Sequence, residues 1–386
     1  MIDPAQRIDA LLDVRVRDGV IAEIGEHLGV ESGEQCFDVA GAFVAPGFID
    51  MHVHLREPGN PEKETIATGL AAAVAGGFTA VAAMPNTNPA MDTPERVRWV
   101  SDTAERLRLA RVHPIATITL AREGLQPADY PALKDAGAVA CSDDGNTVAS
   151  AIVQTTAALR AREAGLRFIT HCEPEEEIVA RDAAIATATR LPWHIAHVSS
   201  RAALRVIDDA KQLGLDFTCE ATPHHLAFSH EETQERGLKT RVHPPLRDRK
   251  DVMALRAAVF NGTVDAFASD HAPHLDDASP GFSGLEVAVG GYAYALPSLP
   301  PARYVALLST NPARILGVPG GTLAIGAPAD ITILADREWT VDPKAFYSKG
   351  RATPFAGLKL PRRAIATIVR GALVMEEGRV AAPALK

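Results

Sequence analysis

Between Ala45 and about residue 316 two kinds of run alternate, and this alternation narrows the available folds more than any other feature. Apolar β-type stretches recur at 48–54, 78–84, 112–119, 138–142, 167–171, 193–198, 215–220 and 265–269. Between most of them lie Ala-rich stretches with helical spacing, such as Glu62–Ala75, Pro94–Leu109, Ala149–Ala164 and Arg201–Leu213. Gly76-Gly77, Gly137, Gly165 and Gly214 stand where a helix must end before the next strand, the place where glycine closes a helix without a Cβ clash. Eight such units predict an α/β chain built on a (β/α)8 barrel. An open doubly wound sheet is the competing arrangement, but no Gly-rich GxGxxG turn follows the first strand.

Both chain ends are of β character. Asp13–Arg17 and Val20–Ile24 flank Asp18-Gly19, a hairpin dipeptide. A helical stretch near Arg303–Leu316 closes the barrel, and β-type runs return at Ile331–Leu334, Ile365–Val369 and Ala372–Glu376. The expected organisation is a barrel over 46–316 and a small β-sandwich made from 1–45 and 317–386.

With 386 residues, 47% hydrophobic and 23% charged, the chain can bury a sizeable core. Its net charge of -9 and pI near 5.8 argue against nucleic acid or an anionic membrane as partner. No apolar run approaches the ~18 residues of a membrane span, and the N-terminus lacks the blocks of a signal peptide. Cys36, Cys141, Cys172 and Cys219 are scattered without a CxxC pair, which points to a reducing cytoplasm and away from a zinc knuckle.

Barrel enzymes work at the C-terminal ends of their strands, so the polar residues there are the candidates. Strand one runs into Gly47-Phe-Ile-Asp-Met-His-Val-His-Leu-Arg-Glu-Pro-Gly59 and supplies His52 and His54. Two apart on a strand, their imidazoles face the same way. Strand two supplies Asn86, strand four Asp143 and Asp144, strand five His171, strand six His197 and strand eight Asp270. Any one of these has a bland reading: a lone strand-end histidine is usually structural, and Asp143-Asp144-Gly145 could be only a turn. His194 and His197 are three apart, so at most one enters the site; the adjacent His224 and His225 carry the same limit. His27, His113 and His230 read as surface or structural. Four histidines and two carboxylates converging on one barrel end point to a metal. The set is rich in N and O and has no thiolate. It suits Zn(II), as one open ion or two bridged ones, and also Co, Mn or Fe. Either arrangement activates water, and Asp270 beside it could move the proton.

His52-Val-His-Leu-Arg-Glu-Pro-Gly59, Met84-Pro-Asn-Thr-Asn-Pro89 and Asp270-His-Ala-Pro-His274 together resemble the dihydroorotases of the amidohydrolase superfamily, closest to the long bacterial type I branch. The likeness runs from about Asp13 to Glu377. It implies a zinc enzyme of pyrimidine biosynthesis that interconverts N-carbamoyl-L-aspartate and (S)-dihydroorotate. By that resemblance His52, His54 and Asp270 hold a first zinc, Asp144 bridges, and His171 and His197 hold a second. Arg56 and Asn86 clamp the substrate carboxylate, His274 and the Pro280-Gly281 loop complete the pocket, and Asp270 is the general base. A homodimer, and a complex with aspartate transcarbamoylase, are the implied assemblies. Hydantoinases and dihydropyrimidinases resemble the chain too, but bridge their metals with a carbamylated lysine at the end of strand four, where this chain has Ser142-Asp143-Asp144. Allantoinases usually carry Asn at the place of Arg56. Some dihydroorotase-like chains are non-catalytic partners of aspartate transcarbamoylase that have lost their ligands; here all six positions are filled. The chain departs from the family in short intervals between His171 and His197 and between His274 and Gly284, in lacking the usual first sandwich strand, and in His243, where the family commonly uses Asn in the pocket.

Overall fold

A computed structural model describes residues 1–39, 41–237, 241–275 and 279–382. Eight parallel strands follow one another around the barrel in chain order: Phe48–Val53, Phe78–Ala83, Arg111–Ala116, Ala140–Cys141, Arg167–Thr170, Trp193–Ile195, Phe217–Ala221 and Ala266–Phe267. Ring closure is light. Val53 bridges His271, and the His54 N–H donates to the His271 carbonyl at 2.8 Å. Helices cross outside, as parallel pairing requires. The glycine stops act as expected: Gly77, Gly137, Gly165 and Gly214 all take positive φ, and the Gly137 and Ala138 N–H groups return to Lys134 and Leu133.

The barrel interior is filled by modest side chains, including Ile49, Met51, Ala82, Ile115, Ile169 and Ala268. Its lower end is stopped by Ala313, Ile315 and Leu316 of the helix Asn311–Leu316. A larger apolar layer lies between strands and helices, anchored by Phe48, Phe168, Trp193 and Tyr292. Nearly every strand is shorter than its apolar run. Strand three leaves the ladder at Ala116, not at 119, and strand six at Ile195, not at 198. In these two the difference arises at the mouth, where backbone turns aside to place side chains.

Both chain ends meet in one antiparallel sheet ordered Arg379–Val380, Ala372–Glu376, Arg363–Val369, Ile331–Ala335, Phe43–Pro46. The hairpin Asp13–Arg17/Val20–Gly25, turning at Asp18 and Gly19 with positive φ, covers one face. Ile21, Leu323, Ile331, Ile333 and Ala366 fill the space between. At the very start Ile2–Asp3 pairs with Ile8–Asp9. Among the described residues no helix is long and apolar enough to cross a membrane.

Candidate active site

An apolar barrel mouth would not tolerate six ionisable groups unless they satisfied one another or a cation. His52, His54, Asp144, His171, His197 and Asp270 are nevertheless all buried there. His52 Nε2 lies 3.2 Å from Asp144 Oδ1 and 3.6 Å from Asp270 Oδ1. His54 Nε2 lies 3.4 Å from Asp144 Oδ2 and 3.4 Å from Asp270 Oδ1. His197 Nε2 and His171 Nδ1 stand 3.5 and 3.8 Å from Asp144 Oδ1. Two triples bring their ligand atoms within 4.8 Å: His52, His54 and Asp270, and His52, Asp144 and His197. His171 sits at the edge of the second. Its Nδ1 is 3.0 Å from His197 Nε2, and its other nitrogen faces Glu173.

The backbone is bent to achieve this. Arg56, His197 and Asp270 take φ of 61°, 34° and 48°, a region that costs a residue with a side chain of order 1–3 kcal/mol. Each marks the point where a strand stops running straight and its residue enters the mouth. For Arg56 this means that strand geometry does not persist to it.

His52 Nε2 and Asp144 Oδ1, facing each other, are both buried without a hydrogen-bond partner. Leaving such atoms unsatisfied costs about 1–3 kcal/mol each; a cation between them would satisfy both. With four imidazoles, two carboxylates and no thiolate, the residues fit a metal ion. Burial opposes every charge here, but Asp144 and Glu220 hold the His52 imidazole well above its usual range. Against the same burial, the hydrogen bond to His54 and the neighbouring imidazoles hold Asp270 below the usual carboxylate range, so it is an anion at neutral pH. Burial and the His197 charge push His171 down to about 4.

A second layer orients these groups, and much of it escaped the sequence reading. Glu220, fully buried on strand seven, accepts from His52 Nδ1 at 2.8 Å, from the His197 N–H at 3.2 Å and from His194 Nε2 at 3.1 Å. His194 therefore serves the site without entering it. The available signal was the lone acid in Phe217-Thr-Cys-Glu-Ala221, since a charge on a barrel strand needs a partner. Asp143 takes the Ile118 and Thr119 N–H groups, leaving Asp144 to the site. His225 bonds Thr222 and the Pro244 carbonyl, while His224 lies edge-on to Phe282.

Arg56 donates from Nη2 to His274 Nε2 at 3.0 Å and from Nε to the Pro273 carbonyl at 3.4 Å. It is within the electrostatic reach of Asp270 and Asp144. Asn86 does something the sequence reading did not foresee: its Oδ1 accepts from His54 Nδ1 at 2.7 Å, steadying that ring. Gly281, with φ of 140°, packs so closely that an added Cβ would lie 2.3 Å from the Ala272 carbonyl and 3.1 Å from the His274 ring. Pro280 and His243 are exposed. Lys134 is far from bridging anything, since its Nζ donates to the Gly165 carbonyl at 2.7 Å.

Residues 43–374 match the model of the amidohydrolase family. The chain is 41% identical to a dihydroorotase of Anaeromyxobacter dehalogenans, covering 98% of this chain and 97% of that one. It is 39% identical to a dihydroorotase of Aquifex aeolicus, covering 98% of each. Among solved structures, the L-hydantoinase of Arthrobacter aurescens superposes with a TM-score of 0.86 at 24% identity, over 96% of this chain and 94% of that one. The dihydropyrimidinase of Brevibacillus agri gives 0.87 at 20% identity, over 99% and 95%. At those identities the structural likeness speaks for the fold. The barrel, the buried cluster at its mouth and the near full-length relatives lead to one statement: the chain belongs to the amidohydrolase family, and within it to the dihydroorotases.

Proposed function

We propose that the chain interconverts N-carbamoyl-L-aspartate and (S)-dihydroorotate, the cyclic-amide step of de novo pyrimidine (UMP) synthesis. One observation carries the choice of substrate: the Arg56–His274 pair, a cationic fork at the edge of a metal-type cluster. A guanidinium grips a carboxylate through two parallel hydrogen bonds. The substrate is a small anion whose reacting amide lies a few atoms from its carboxylate.

We assign His52, His54 and Asp270 to one zinc position and Asp144, His171 and His197 to a second. Zinc would polarise the amide carbonyl and lower the pKa of water. Asp270, anionic in its surroundings, accepts the proton of the attacking water and delivers it to the ring nitrogen as the amide bond breaks; ring closure runs the same path in reverse. Arg56 binds the carboxylate, with His274, Pro280, Gly281 and His243 forming the rest of the pocket wall. Asn86 adds to that wall while holding His54. An aspartate at the end of strand four, with Lys134 engaged elsewhere, sets this reading above a hydantoinase-type one.

All four cysteines are free and three are buried, which supports a cytoplasmic protein. A homodimer and a complex with aspartate transcarbamoylase rest on the family resemblance. Bound-metal analysis and ring closure of carbamoyl-aspartate, measured with and without aspartate transcarbamoylase, test the reading. No turnover in either condition with metal-loaded protein overturns it. Light scattering tests the dimer.

A further inference from the structure

The loops that carry Arg56 and His274 are met from outside the barrel by a segment that belongs to the C-terminal part of the chain. Residues 346–352 run between the turn Pro343–Ala345 and the strand Lys359–Leu360. They reach over to the two loops that carry the pair. Ser348 Oγ donates to Glu64 Oε2 at 2.5 Å, and the Lys349 N–H to Glu64 Oε1 at 3.3 Å. The Ser283 N–H donates to the Ala352 carbonyl at 2.8 Å. The Tyr347 N–H donates to Glu286 at 2.7 Å.

Glu64 is fully buried and also receives His271 Nε2 at 3.3 Å. The other nitrogen of His271 accepts the Gly284 N–H at 3.1 Å, so its tautomer is fixed. His271 lies between Asp270 and Pro273, and Pro273 is the residue whose carbonyl Arg56 holds. At the centre of the contact is Gly350. It is buried, and a Cβ there would lie 2.5 Å from Ser283 Oγ and 2.7 Å from Pro273 Cβ. Nothing larger than hydrogen fits without displacing Pro273, and with it the partner of Arg56.

We propose that residues 346–352 fix the placement of the Arg56–His274 pair, with Gly350 as a positioning residue, and so determine affinity for carboxylate-bearing substrates. This rests on Arg56 binding the substrate carboxylate. Among the described residues the segment makes no hydrogen bond or ion pair to a metal-type ligand, so its effect belongs on KM.

The test is steady-state kinetics on full-length, metal-loaded Gly350→Ala, Arg56→Lys and the double variant, with metal content and melting temperature measured alongside. Displacement of a positioned group by about 1 Å can cost up to ~100-fold; we expect KM to rise about tenfold or more in Gly350→Ala, with kcat within about threefold. In the Arg56→Lys background Gly350→Ala should add little, because the two changes act on one contact. A folded, metal-loaded Gly350→Ala with unchanged KM, or with kcat falling at constant KM, overturns the proposal. If Gly350→Ala does not fold, Ser348→Ala decides: it removes the Glu64 contact without adding bulk, and an unchanged KM there also overturns it. An Arg56→Lys enzyme with normal KM would instead remove the carboxylate reading itself, whatever Gly350→Ala does.

Discussion

Replacing Glu220 by Gln isolates what a buried carboxylate does for a metal-type site by bonding the far side of its ligands. The amide keeps the size and one acceptor oxygen. That oxygen can still face His52 Nδ1 and the His197 N–H, now 2.8 and 3.2 Å from Oε1. The new NH2 must then face His194 Nε2. This is tolerable because His194 Nδ1 sits 2.8 Å from the Thr218 hydroxyl, which can donate as well as accept, so the ring can exchange tautomers. Packing survives; the negative charge does not. Burial alone would raise the Glu220 pKa, yet the hydrogen bonds and charges of His194 and His52 bring it from 4.5 down to about 2. At 1.36 kcal/mol per unit that preference for the anion is on the order of 3 kcal/mol. The loss is shared between folding and the basicity of His52. Loss of an outer partner typically weakens metal affinity or activity about 10–100-fold, the same scale. We expect Glu220→Gln to fold, to bind zinc about 10–100-fold more weakly in competition with a chromogenic chelator, and to lose activity that excess zinc partly restores. Glu220→Ala should also lose stability, since several buried donors are left unmet at about 1–3 kcal/mol each. An unchanged zinc affinity in Glu220→Gln would refute the orienting role.

Three further outcomes follow from the geometry. Asp270→Asn should keep the fold but lose at least the ~10²–10⁴-fold that acid–base transfer supplies; near-normal turnover would remove Asp270 from the proton path. Arg56→Lys should raise KM with kcat little changed, since a point charge cannot replace the fork; a normal KM in initial-rate measurements counts against the clamp. Glu286 gives a pH signature. Burial and nearby Glu64 push it up to about 8, outweighing the two backbone N–H groups it accepts from Tyr347 and Ser348. The folded protein therefore favours the protonated acid, and that stabilisation is complete below pH about 4.5 and lost as pH rises through about 8. Melting temperature should fall less between pH 5 and 9 in Glu286→Gln than in the parent; equal falls would show that Glu286 does not titrate there.

Much of the barrel could be read from local pattern because strand, helix and glycine stop each leave a periodic trace within a dozen residues. His52, His54, Asp144, His171, His197 and Asp270 are legible for a related reason: each stands at or just past the end of an apolar run, where a barrel gathers its polar groups. Glu220 and Glu64 were not. Glu220 meets His52 across 168 residues of chain and Glu64 meets Ser348 across 284, and no local rule connects positions so far apart. The sequence suggests a substrate-clamping role for Asn86; its contact with His54 Nδ1 depends on the rotation of that ring, and that is a tertiary fact. Strands one, six and eight stop short of their apolar runs just before Arg56, His197 and Asp270, whose φ is positive, and composition gives no sign of that strain.

The sheet that joins the two chain ends sets the order in which the molecule can be finished. Phe43–Pro46 has its neighbour in Ile331–Ala335, and the Phe48 N–H reaches Thr332 Oγ1 across 284 residues. During synthesis that early strand leaves the ribosome and waits, without its sheet neighbour, until the whole barrel has been made. Closing so long a loop adds only slowly to the entropy cost, since that cost grows with the logarithm of length; the time for which the edge stays open grows with every residue translated. An open strand edge is where one chain adds to another. The hazard of aggregation for this protein therefore lies in its making, between the appearance of Pro46 and that of Ile331, more than in the surface of the finished molecule.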